Sequence, residues 1–250
     1  MEPVYGTAIA AARTMWKAQG LRFTMTGIEN IPKTGGAVIA INHTSYIDFT
    51  FAGLPVFRQG LGRKVRFMAK KEVFDNKLTG PIMRGCRHIP VDRANGAASF
   101  EQACQLLKEG ELVGVYPEAT ISRSFELKEF KSGAVRMALE ARVPIIPLIV
   151  WGAHRVWTKD HPKQLGRNKI PFTVQVGAPL LPVGTPAELD ASMRAAMTTM
   201  LHEVQEQYPH PGGAHWVPRR LGGGAPTPAE AARIEEAELA ERARRAAGRH

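Results

Sequence analysis

Seven short apolar runs rich in β-branched residues recur along the chain: "RFTMTG", "GAVIAI", "VRFMA", "RHIPV", "LVGVY", "VPIIPLIV" and "PFTVQVG". Between several of them lie stretches whose apolar residues recur at helical spacing, notably 97–109, closed by Gly110, and 133–142. Strands that alternate with helices predict a single α/β domain with a mainly parallel or mixed sheet flanked by helices. The strand order is not readable from periodicity. A further helix is announced at "TPAELD", with Thr185 as N-cap, Pro186 at the first helical position and Glu188 completing a capping box, and runs to about Tyr208. The same cap recurs at 227–230 after "LGGGAP" and opens a charged segment in which Glu241 and Arg245 are spaced to support an exposed helix. These signals divide the chain into an N-terminal helix over 1–20, a main domain over 21–210, and a linker with a solvated helical or disordered tail over 211–250.

A length of 250 residues with 44% hydrophobic content supports one sizeable core. The two cysteines, Cys86 and Cys104, have no metal-ligand spacing and read as reduced thiols. No metal site is expected. The formal charge is +10, and since 221–250 holds five arginines and five acids, the excess belongs to the body of the chain. Within it, 58–71 ("RQGLGRKVRFMAKK") carries six basic residues and no acid, a patch expected to attract a polyanion or an anionic lipid surface. No segment reaches the roughly 18 to 20 apolar residues of a spanning helix. The first twenty residues lack a signal-peptide pattern. They predict instead a helix carrying Val4, Tyr5, Ile9, Met15 and Trp16, which either packs on the body or lies in a membrane interface.

The stretch "NHTSYIDF" (42–49) follows the apolar run "AVIAI" and sets a histidine and an aspartate five residues apart. At about 3.6 residues per turn, such positions in one helix lie roughly 140° apart and do not meet. If the strand ends before His43 and a helix begins near Ser45, the imidazole folds back onto Asp48 and becomes a positioned base. The same letters also read as a helix start, Ser45-x-x-Asp48, with Asp48 favoured by the helix dipole. Capping alone leaves His43 unexplained. There is no G-x-S-x-G elbow, no phosphate loop of the G-x-x-x-x-G-K-[ST] type and no H-E-x-x-H, which removes support from covalent hydrolase, nucleoside-triphosphate and zinc-protease chemistry. Three polar segments, "NHTSYID", "GCRHIPVDR" and "VYPEATISRS", each follow or end a predicted strand, and the crevice beyond the carboxyl ends of strands is where open α/β sheets bind ligands.

These segments resemble the glycerolipid acyltransferases that include 1-acylglycerol-3-phosphate acyltransferase. "NHTSYID" resembles their N-H-x-S-x-x-D block, "GCRHIPVDR" the block ending in a phosphate-binding arginine, "YPEATISRS" the F-P-E-G-T-R-S block and "VPIIPL" the V-P-[IV]-[IV]-P block, in the expected order over roughly 23–180. The resemblance implies transfer of an acyl group from acyl-CoA or an acyl carrier protein to a hydroxyl of glycerol phosphate or lysophosphatidic acid, without a cofactor, at the cytoplasmic face of a membrane. His43 would be the general base, oriented by Asp48. Arg93 would hold the acceptor's phosphate, or else cap a turn beside Asp92; Lys70 or Lys71 would add a charge. Glu118 would accept hydrogen bonds from glycerol hydroxyls or pair with a nearby arginine. Asn42, Ser45, Ala119 and Thr120 would support the site or stabilise an oxyanion.

The sequence departs from the family pattern at Ala119, where glycine is usual, and at Ile121, where arginine is usual, with Arg123 two positions later. A position needing a positive φ would be strained by the Ala119 Cβ. Arg123 is a substrate-binding candidate by a different route. Two rival readings compete: a lipid-surface protein without catalysis, and a basic nucleic-acid module, which leaves "NHTSYID" and the acid in "YPEA" without a purpose. No nucleic-acid partner is therefore expected.

Overall fold

The computed structural model describes residues 2–92 and 95–247. In chain order the elements are α1 (Pro3–Gln19), β1 (Arg22–Thr26), β2 (Ala37–Ile41), α2 (Asp48–Ala52), α3 (Leu54–Arg58), β3 (Val65–Lys70), α4 (Lys71–Asp75), α5 (Thr79–Gly85) and β4 (Ile89–Val91). They continue with α6 (Gly96–Lys108), β5 (Leu112–Val115), α7 (Gly133–Ala141), β6 (Ile145–Trp151), β7 (Pro171–Val176), α8 (Pro186–Gln207) and α9 (Pro228–Ala247). The sheet runs β1-β7-β6-β2-β5-β3-β4. Five adjacent strands, β6 to β4, are parallel, and β7 pairs antiparallel with β6 and parallel with β1. The expected α/β domain is thus present, with a mixed sheet.

The continuous apolar run "AVIAI" becomes β2 because a central strand is covered on both faces. All five of its residues are fully buried, and they alternate between two cores. Val38 and Ala40 face the cluster under α6, α7 and α8; Ala37, Ile39 and Ile41 face the one under α1, α2 and α3. Shifting the strand by one residue would exchange those faces, so its register, and the turn that follows Ile41, are fixed. Gly114 lets β5 lie close to β3, since a Cβ there would come within 2.6 Å of the Phe67 ring. Thr185 and Glu188 form the expected capping box on α8, and Thr227 with Glu230 repeats it on α9.

One sequence alternative is decided and two expectations change. Trp16 is buried, stacked on Phe51 with ring centroids 4.9 Å apart, so α1 packs on the body through its Trp and does not present it to a headgroup layer. Residues 211–227 are not a free linker: Trp216, Val217 and Ala225 are buried in the core beside Tyr208. Two of the six cations in 58–71 turn inward. The Arg63 guanidinium donates to the carbonyls of Pro32, Gly35 and Gly110, and Arg66 is buried between Glu2 and Glu111. Among the described residues no helix is long and apolar enough to cross a membrane, and no cluster of His, Cys, Asp and Glu has the grouping of a metal site.

Candidate active site at the carboxyl ends of β2 and β5

Because β2 and β5 are adjacent and parallel, the turns that leave them meet at one edge of the sheet. The β2 turn carries His43. Its Nδ1 lies 3.1 Å from Asp48 Oδ2, and the main-chain N–H groups of Thr44 and Ser45 each donate to that same oxygen at 2.8 Å. Asp48 is the first residue of α2, so the helix dipole also favours its charge. The capping and dyad readings therefore describe one arrangement. Burial pushes the Asp48 carboxyl above its usual range, and the contacts from His43, Ser45 and Thr44 pull it back. With Nδ1 donating to Asp48, the lone pair of the imidazole sits on Nε2, which makes no hydrogen bond among the described residues. Asp48 is fully buried, whereas 18% of the His43 side chain is exposed.

The β5 turn holds His43 from the other side. The His43 N–H donates to Glu118 Oε1 at 2.7 Å, and the His43 carbonyl accepts from the Ser122 N–H at 2.8 Å. Tyr116 stacks on the imidazole, with ring centroids 4.0 Å apart and planes at 18°. The sequence signal for Tyr116 was its place in "VYPEA" at the end of a strand, where it reads only as a strand residue. Ser122 had no signal of its own.

The other candidate residues are placed as follows. Glu118 is buried, and its second oxygen accepts from the Lys128 N–H at 3.0 Å, so among the described residues it pairs with main-chain N–H groups and not with an arginine; it joins the two turns. Asn42 is fully buried and extends β2 by bonding both main-chain groups of Val150, at 3.1 and 2.7 Å. Ser45 Oγ donates to the Trp157 carbonyl at 2.5 Å. The Ala119 N–H donates to the Tyr116 carbonyl and the Thr120 N–H to the Glu118 carbonyl, so both amides are engaged within the turn and neither is offered to an oxyanion. These four residues are supports. Lys70 and Lys71 are both exposed, and Lys71 lies 3.8 Å from Asp75. Arg123 is buried and surrounded by Asp160, Glu235 and Glu238. Arg93 lies outside the described residues.

Residues 22–151, just over half of the chain, match the model of the acyltransferase family, and the chain belongs to that family. A 1-acyl-sn-glycerol-3-phosphate acyltransferase of Bacillus subtilis is 38% identical over 125 residues, which is 50% of this chain and 60% of that protein. One from Limnanthes douglasii is 33% identical over 167 residues, 64% of this chain and 55% of that protein. The matched regions thus span somewhat over half the length of these relatives. The crystal structure of the 1-acyl-sn-glycerophosphate acyltransferase from Thermotoga maritima shares the fold, with a TM-score of 0.61 and 20% identity over 79% of this chain and 81% of that one.

Two outcomes test this geometry. Ala119 has φ +59° with an exposed side chain, so glycine there relieves left-handed strain and forfeits no packing. Ala119→Gly should raise unfolding stability by about 1 kcal/mol in denaturant titration. Burial also pushes the Glu118 carboxyl from its ordinary 4.5 up to about 8, against the pull of the Lys128 and His43 N–H groups. Between these values the folded chain holds a proton that the unfolded chain has released, so raising the pH lowers the stability this group contributes. The denaturation midpoint should therefore fall between about pH 5 and pH 8, and the fall should be smaller in Glu118→Gln.

Proposed function

We propose that the protein transfers a fatty acyl group from a thioester, acyl-CoA or an acyl carrier protein, to a hydroxyl of glycerol phosphate or lysophosphatidic acid. The observation that carries this reading is the His43–Asp48 pair: a partly exposed imidazole with one nitrogen engaged by a buried carboxylate and the other unspent. Nε2 of His43 takes the proton of the acceptor hydroxyl as its oxygen attacks the thioester carbonyl. When the tetrahedral intermediate collapses, the C–S bond breaks and the imidazolium returns that proton to the departing sulfur. Asp48 holds the ring in the required tautomer and stabilises its charge once it is protonated. No acyl-enzyme forms in this scheme. The names of the relatives from Bacillus subtilis and Limnanthes douglasii support a phosphorylated glycerol acceptor.

The rigidity of the pair supports base catalysis by pre-positioning. Tyr116 fixes the plane of the ring, and Glu118 and Ser122 fix its main chain, so little reorganisation is needed when the hydroxyl arrives. His43→Ala and Asp48→Asn should each lower the release of free CoA thiol with a phosphoglycerol acceptor by roughly 10²- to 10⁴-fold. Retained turnover in folded His43→Ala would remove the mechanism. A folded wild-type protein inactive with every glycerol phosphate and lysophospholipid tried would favour the non-catalytic reading.

The same reading puts the protein peripherally on a membrane, where its acylated product resides. Support comes from exposed apolar side chains on neighbouring helices: Val4 and Met15 on α1, Phe57 on α3, and Ile82 on α5. Val4 packs toward Gly85 and Arg13 lies over the Phe57 ring, so these helices form one face with basic residues among the apolar ones. Cosedimentation with phosphatidylglycerol vesicles should exceed that with phosphatidylcholine vesicles and weaken in Phe57→Ser/Ile82→Ser. Equal binding to both vesicle types would count against the proposed face.

A further inference from the structure

The tail helix α9 is expected from sequence to be solvated, yet it docks beside the site, and it docks by charge. Among its described side chains only Ala231 is buried, while Ile234 and Leu239 remain exposed. Its inward side carries Glu235 and Glu238, three residues apart and so on one face. Glu235 binds Lys128 Nζ through both oxygens, at 2.7 and 2.5 Å, and lies 3.9 Å from Arg123 Nη1. Glu238 pairs with Arg123 and lies 3.9 Å from Lys159 Nζ.

These three cations belong to the two segments bonded to the His43 turn. The Lys128 N–H shares Glu118 with His43, and Lys128 Nζ donates to Thr120 Oγ1. Thr158, next to Lys159, donates from its hydroxyl to the Thr44 carbonyl at 2.7 Å. Apart from α9, the carboxylate paired with the cluster among the described residues is that of Asp160, 2.6 Å from Arg123 Nε. Three cations against that one acid leave two positive charges, and α9 supplies two negative ones. A phosphomonoester near neutral pH carries about −1.5 to −2 and supplies the same charge with more acceptor oxygens. Arg123 Nη1, moreover, is buried and donates no hydrogen bond among the described residues, so the carboxylates leave a donor that a phosphate can use.

We propose that Arg123, Lys128 and Lys159 form a site for a phosphomonoester dianion, and that α9 is a tethered competitor that fills it with Glu235 and Glu238 until such a ligand displaces the helix. The choice of ligand rests on the acyltransferase reading above; the competition itself does not require turnover. Little apolar surface holds α9 down, so exchanging its ion pairs for phosphate contacts costs little burial.

Amide hydrogen exchange on the full chain tests this. The probes are inorganic phosphate, glycerol 3-phosphate, and phosphatidylcholine vesicles with and without phosphatidic acid, each against sodium chloride of matched ionic strength. Exchange over 228–247 should accelerate severalfold with a phosphomonoester probe and not with chloride. A response to the soluble probes assigns the site to a free ligand, and a response to phosphatidic acid vesicles alone assigns it to a lipid headgroup; both support the proposal. In Glu235→Gln/Glu238→Gln the helix should exchange rapidly without ligand, and the probe that acts on the wild type should bind severalfold more tightly, since its site is no longer occupied. Unchanged exchange with every probe, or no tighter binding in the double variant, overturns the proposal. A positive exchange response in a chain without acyl transfer would instead overturn the acyltransferase reading alone.

Discussion

Oδ2 of Asp48 gathers three donors from the preceding turn, the imidazole of His43 and the N–H groups of Thr44 and Ser45. A carboxyl taken wholly out of water is costly unless its lone pairs are engaged, and here one oxygen takes all three donors while Oδ1 has no partner among the described residues. The geometry of the turn is therefore set by where that oxygen can be reached. The oxygen in turn is set by the start of α2, which six residues separate from the end of the fully buried β2. The direction of the His43 ring thus follows from packing in the centre of the sheet.

A second carboxyl repeats the device at a larger scale. Glu118 lies on the turn after β5 and spends its oxygens on the N–H groups of His43 and Lys128. It ties the β2 turn to the segment that carries Arg123 and Lys128. Several other polar groups in this region are engaged by main-chain partners: Asn42 by Val150, Ser45 by Trp157, the Ala119 and Thr120 amides by their own turn. Such a network makes the site rigid, and a rigid site lowers the cost of aligning base and hydroxyl.

What could be read from sequence was what is local. The strand runs, the caps at Thr185 and Thr227, and the His43–Asp48 pair all depend on neighbours within a few positions, and local geometry nearly determines them. The partners of charged residues are not local. Arg66 meets Glu2 across 64 positions and Arg123 meets Glu238 across 115, so a run such as 58–71 reads as a surface patch although two of its cations face inward. Glu118 was legible as a site residue and its direction was not, because the N–H groups that claim it come from other segments. Trp16 and Trp216 suit both an interface and a core, and only the tertiary fold chooses the core.

The departures in "YPEATISRS" have one physical reading. Ala119 adopts the positive φ that a glycine would take without strain, so the turn is kept and its cost is borne by the backbone. Ile121 is buried, and a guanidinium in its place would have to find partners inside the protein or leave. Arg123, two positions on, instead sends its charge toward Asp160 and the acids of α9. Moving the cation along the chain while keeping the turn changes which direction an anion must approach from, and leaves the imidazole where it was. In this chain the proposed base and the proposed phosphate site are therefore separable: the first is fixed by β2 and α2, and the second lies where the tail helix reaches it.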